Sequence, residues 1–169
     1  ELREYLGVAW YEREFEVPSE DAGMRVAIEF IGIDHEARVW VNGELVGQHT
    51  GSLSSFILDV SRHVKYGEKN TVTIKVTDPE LGTRSWVNEQ VISFSGLWRD
   101  VYLEITEPVF ISDIFMVPDI DRSHVRGEIE VTVPPLSRPQ KLSLGLKVRA
   151  PNGKNYQSAR IPVEFPVLD

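Results

Sequence analysis

The chain of 169 residues contains no cysteine, which removes a disulfide framework and any thiolate metal site, and with them any redox signal of compartment. Its four histidines, His35, His49, His63 and His124, show no paired metal-ligand spacing, so they read as surface or packing residues and no metal or other cofactor is expected. No apolar run approaches the roughly 18 residues of a membrane span, and none resembles the core of a signal peptide. Basic charge is also scarce: 18 Lys and Arg face 26 Asp and Glu, and no basic stripe stands out, which opposes nucleic-acid binding. Glycine-rich phosphate loops, serine nucleophile elbows, HExxH and calcium-loop spacings are missing as well. A long amphipathic helix is a further absence. The nearest approach is Asp59 to Asn70, where Ser61 as a cap and Gly67 as a stop predict a single helical turn.

What remains is period-two alternation from end to end. Met24, Val26, Ile28 and Phe30 alternate with Arg25, Ala27 and Glu29, and Val72, Ile74 and Val76 alternate with Thr71, Thr73 and Lys75, as half-buried strands do. Tyr11, Phe15 and Val17 share one face with Arg13, while Trp10, Glu12, Glu14 and Glu16 point the other way until Pro18 ends the run. Arg13 reads as a stem that packs with its head at the sheet rim, or as a ligand or interdomain contact. Asn42-Gly43 between two alternating runs is the dipeptide that tolerates positive φ at both central positions of a two-residue hairpin turn. From Asp78 to Ser95 the alternation fades into turn-formers and an isolated Trp86, which predicts a long loop of the kind that carries function on rigid sandwiches. It returns in Val101, Leu103 and Ile105, opposed to Asp100, Tyr102 and Glu104, and breaks at Glu107-Pro108. Beyond the break four strand-like runs follow, fewer than the seven or so of an immunoglobulin-like sandwich, so the second unit is expected to be cut short. Open strand edges there predict dimerisation, strand swapping or local disorder beyond about residue 108.

The fold class is therefore all-β, with a first sandwich over 1–107 and a partial second one over 108–169. The succession GVAWYEREFEVP, ARVWVNGELVGQHTGSLSSFILDVS, GEKNTVTIKVTDP and SGLWRDVYLEI resembles the N-terminal sugar-binding domain of glycoside hydrolase family 2, the β-galactosidase, β-glucuronidase and β-mannosidase family. The stretch ISDIFMVPDIDRSHVRGEIEVTV is similar to the start of that family's immunoglobulin-like second domain. The resemblance implies a jelly-roll, galactose-binding-like sandwich followed by the beginning of an immunoglobulin-like one. It also implies that both catalytic glutamates lie in a (β/α)8 barrel outside this chain, a barrel needing about 250 residues of its own. No catalytic residue is expected here, and carbohydrate is the expected partner in the setting of the whole enzyme, beside the barrel.

For the site, the resemblance points to Asp100, which matches the Asp of the galactosidase-type SGxxRDV motif, with Arg99 beside it. Asn88-Glu89 copies the dipeptide that carries the family's acid/base residue but lies upstream of SGLWRDV, in the first sandwich. Glu89 is thus a loop residue able to reach toward sugar and not the catalytic acid. Exposed Trp rings stack on pyranose faces, and of Trp10, Trp40, Trp86 and Trp98 the loop residue Trp86 has the best claim to exposure and Trp40 the weakest. Two readings from other classes stand beside the glycosidase portion: a free-standing carbohydrate-binding module, and a structural or adhesive β-sandwich.

Overall fold

A computed structural model describes residues 7–77, 85–87, 90–92, 96–133, 140–158 and 160–165. Alternation becomes strands wherever it is regular. Strand β1 (Val8–Glu16) runs to the proline at 18, after which one turn of 3-10 helix (Ser19–Asp21) leads into β2 (Arg25–Phe30), β3 (Ile33–Asp34), β4 (Glu36–Val41) and β5 (Glu44–Thr50). Then come β6 (Phe56–Asp59), β7 (Lys69–Thr77), β8 (Ser85–Val87), β9 (Gln90–Ile92), β10 (Gly96–Leu97) and β11 (Val101–Thr106). These belong to the first of two compact units, Glu1–Pro108 and Val109–Asp169.

In the first unit an antiparallel sheet of order β1-β7-β4-β5 faces a second of order β11-β2-β6, with β3 and β10 paired beside them. Val39, Val41, Ile74 and Val76 from the first sheet meet Val26, Ile28 and Phe30 from the second in one buried cluster. Burying each of these side chains contributes about 1.5–3 kcal/mol. Ala27 is buried as well, on the opposite parity of β2, between Glu104 and Asp59 of the flanking strands, whose carboxylates Arg25 approaches. The sheets approach closely at Gly47 of β5, where a Cβ would come within 2.6 Å of the Leu58 side chain of β6.

The Asn42-Gly43 turn has the positive φ angles its sequence requires, 52° and 84°. The single turn expected after Ser61 is present and ends before Gly67. Val64 N–H donates to the Val60 carbonyl at 3.2 Å, but the next donor, Lys65 N–H, is taken by the side-chain oxygen of Asn70 at 2.7 Å, so the i to i−4 ladder stops. Asn70, 0% exposed, also donates to the Lys65 and Glu68 carbonyls and accepts from Asn42 Nδ2 at 2.8 Å. The stretch 78–95 differs from a plain long loop: β8 and β9 pair as a short antiparallel hairpin, with Ser85 opposite Ile92.

Among the described residues the second unit has six strands where four runs were expected: β12 (Phe110–Asp119), β13 (His124–Thr132), β14 (Gln140–Leu144), β15 (Lys147–Arg149), β16 (Asn155–Gln157) and β17 (Ile161–Phe165). The last two runs are each broken once, at the same level. β14 pairs with β17 and β15 with β16, and between them Leu146 N–H donates to Ser158 Oγ while Ser158 N–H donates to the Leu146 carbonyl, both at 2.9 Å. A hydroxyl thus replaces a ladder acceptor and splits one hairpin into two.

Asn70→Ala removes an acceptor and two donors from a buried site and leaves the Lys65 N–H without its partner. We expect a loss of about 3 kcal/mol in urea unfolding with an unchanged m-value, at one to three kcal/mol per stranded group; a loss below about 1 kcal/mol would show that water replaces the amide.

Candidate functional site

Four connections of the first unit converge at one end of the sandwich. Phe30, the last residue of β2, is flanked by Val101 at the start of β11 and Phe56 at the start of β6, so the β2–β3, β5–β6 and β10–β11 connections emerge together. The β3–β4 connection joins them through Gly51 N–H, which donates to the His35 carbonyl at 2.9 Å. Two hydroxyl-bearing contacts order this end: Ser52 Oγ donates to Asp34 Oδ1 at 2.5 Å, and Ser54 Oγ lies 3.3 Å from His49 Nε2. The His49 ring in turn stacks on Phe56, centroids 4.1 Å apart.

Asp100 and Arg99 sit on this end and are exposed. The Asp100 carbonyl accepts from Ile31 N–H at 3.1 Å, which fixes its backbone, and its carboxylate accepts from Tyr102 Oη at 3.3 Å. Arg99 does not turn inward with the apolar parity of Val101; its guanidinium lies over the Trp98 ring, 4.9 Å from the centroid. Trp98 packs over Gly32, where a Cβ would come within 2.8 Å of the indole, so that position has room for glycine alone. The negative charge of Asp100 beside the phenol raises the Tyr102 pKa, followed by the hydrogen bond and then by slight desolvation and Glu29. Glu89 and the Trp86 side chain lie outside the described residues. Among the described residues no three His, Asp or Glu side chains gather as a cation site needs.

A concavity of about 560 Å³ opens between the edge strands β1 and β11, lined by Phe15, Ile74, Val101 and Leu103. Arg13 reaches into it from β1 and stays exposed, so its stem lines the cleft and its head meets solvent.

Of the three tryptophans whose side chains are described, Trp10 is the most exposed. Trp10 on β1 is 60% exposed, and its ring lies 5.5 Å from that of Trp40, tilted by 32°. Trp40 and Trp98 are partly buried. The parity of β1 carries the signal for Trp10, because it places that ring on the same side as Glu12, Glu14 and Glu16.

Residues 1–108 match the model of glycosyl hydrolases family 2, sugar binding domain. The chain belongs to this family. Similar proteins include a β-galactosidase of Thermoanaerobacter pseudethanolicus, 32% identical over 133 residues that cover 76% of this chain and 18% of the relative. Another is the β-glucuronidase of Rattus norvegicus, 30% identical across 72% of this chain and 23% of its own length. Among solved structures, a β-glycosidase from Bacteroides vulgatus superposes with a TM-score of 0.74 at 27% identity, over 94% of this chain and 20% of that one. A family 2 member from Bacteroides cellulosilyticus gives 0.79 at 22% identity, over 96% and 22%, a likeness of fold. The family 2 chain thus spans less than a quarter of the length of these relatives.

The phenol of Tyr102 should titrate above the ordinary tyrosine range in an ultraviolet pH titration, and Asp100→Asn should bring it back down. Because a raised pKa means that the folded state holds its proton longer, the contribution to stability is present below the unfolded-state pKa and fades as pH rises through the folded one. An unchanged titration in Asp100→Asn would show that the pair does not form in solution.

Proposed function

We propose that this chain is the non-catalytic, sugar-binding front portion of a β-glycoside hydrolase, and that bond cleavage takes place in a part of the protein beyond these residues. The observation that carries this reading is the family match over 1–108, in a chain covering only 18% of a β-galactosidase relative. In this reading the first unit is a jelly-roll sandwich, the second belongs to an immunoglobulin-like sandwich, and the first places its loop end near the sugar. Asp100 is the residue we assign to sugar contact, with Arg99, Trp86 and Glu89 as its neighbours in function. An exposed carboxylate on a fixed backbone is suited to accept from sugar hydroxyls, and the Arg99 guanidinium, spread over Trp98, offers both a cation and an apolar plane. The exposed Ile114, Phe115, Val117 and Val125 of the β12–β13 hairpin support self-association of this chain in isolation.

The test compares the 169-residue chain with the full-length protein on nitrophenyl β-galactoside, β-glucuronide and β-mannoside. We expect turnover only from the full-length protein. Turnover by the short chain overturns the reading. In the full-length enzyme Asp100→Asn should raise KM about tenfold, the loss of a hydrogen bond to a charged group at roughly 1.4 kcal/mol per decade; an unchanged KM removes Asp100 from the sugar site.

A further inference from the structure

The outward face of the β1-β7-β4-β5 sheet carries a feature that the loop-end site does not use. In one cross-strand row Trp10, Lys75, Arg38 and Gln48 stand side by side, and in the next row Glu12, Thr73, Trp40 and Leu45. The two indoles thus lie diagonally across β7 and touch, forming a continuous aromatic surface. Lys75 Nζ is 5.9 Å from the Trp10 centroid. Arg38 and Lys75 are direct cross-strand partners, and among the described residues neither forms an ion pair with a carboxylate. Like charges directly opposed on a sheet are destabilising. Of the acids in the two adjoining rows, Glu12 accepts from the Thr73 hydroxyl at 3.4 Å and Glu36 stands opposite Thr77, and neither forms an ion pair with Arg38 or Lys75.

We propose that this face is a binding site for an acidic saccharide, in which the Trp10–Trp40 surface stacks against a pyranose ring and Arg38 with Lys75 receives its carboxylate or sulfate group. Each part of the pattern has its partner in such a ligand. Flat rings meet the C–H faces of a pyranose. Two cations with no ion-pair partner among the described residues, one of them a guanidinium built for bidentate contact with planar oxyanions, meet the acid. Gln48, Thr73 and Glu12 stand within the same two rows to meet hydroxyls. A protein partner fits less well, because interface centres are depleted in Lys and Glu and need a broad apolar area, whereas the apolar part here is two rings and Leu45. The site lies on a sheet face and the proposed sugar contact of Asp100 on a loop end, so the two are separate. The inference shares with the family reading only that sugar is the partner.

The test is titration of the full 169-residue chain with three oligosaccharide sets, neutral, uronate-bearing and sulfated, followed by tryptophan fluorescence and calorimetry. We expect the acidic sets to bind, Trp10→Ala to weaken that binding about tenfold or more, and Arg38→Gln with Lys75→Gln to erase the preference over neutral sugars. Trp10 is 60% exposed, so Trp10→Ala should keep the thermal midpoint, which a scan checks. Binding of the uronate set alone or the sulfated set alone tells which oxyanion the cations receive, and either supports the proposal. Equal binding of neutral sugars overturns acid recognition, and no saccharide binding by the folded chain overturns the site. Neither result touches the family reading, which stands or falls on turnover by the full-length protein.

Discussion

The amide of Asn42 ties the connection between β6 and β7 to the β4–β5 turn, a link that no ladder hydrogen bond makes. It sits at the turn between β4 and β5, donates to the His63 carbonyl at 2.7 Å and to Asn70 Oδ1 at 2.8 Å, and accepts from Thr71 N–H at 3.1 Å. Asn70 carries the chain of contacts on to Lys65 and Glu68. The two amides therefore tie the tip of one hairpin, the whole 60s connection and the start of β7 into a single polar plug inside an apolar sandwich. Such a network stabilises only when every member is satisfied, because each stranded group keeps its full desolvation cost. Here the turn conformation, available to few residues besides Asn and Gly, and the hydrogen-bond demand coincide at position 42.

That plug lies at the opposite end of β4 from the convergent loops. β4 starts at Glu36, beside the His35 carbonyl that receives Gly51, and finishes at Val41, beside Asn42. One end of the sandwich is closed by amides and the other is left to side chains that face solvent. The rigid end and the valine-rich middle thus set the frame on which Asp100, Arg99 and Trp98 are presented. Their positions follow from main-chain bonds, Ile31 to Asp100 and Trp98 to Gly32, more than from side-chain packing.

How much of this was legible in the sequence depends on the range of the interaction. Alternation is local, so the strands of the first unit, their buried parity and the Asn42-Gly43 turn are readable, as is the outward direction of Trp10. The early end of the turn after Ser61 is not, because the competitor for the Lys65 N–H is a side chain five residues on whose role depends on Asn42, 28 residues away. The breaks after Leu144 and Gln157 have the same character: Ser158 reads as an ordinary polar residue until its hydroxyl is seen opposite Leu146. At the candidate site the motif position of Asp100 is visible in sequence, but its phenol partner, two residues on along the same strand face, was read only as strand parity. By alternation alone Arg99 shares the parity of Val101. It departs because β11 begins only at Val101, which leaves Arg99 free to lie over Trp98.

The outward sheet face and the loop end differ in shape as well as in place, and shape bears on use. Converging loops present side chains from several connections to one ligand end. A sheet face is nearly flat and open along the strands, so it suits the interior of a chain that extends past it on both sides. Contacts of the second kind are weak singly. They gain effect when a second site in the same protein engages the same polymer, since the first contact then sets the effective concentration for the second. On a protein of net charge −8 the general repulsion of acidic glycan makes such a contact depend on cations placed side by side, as Arg38 and Lys75 are on adjacent strands.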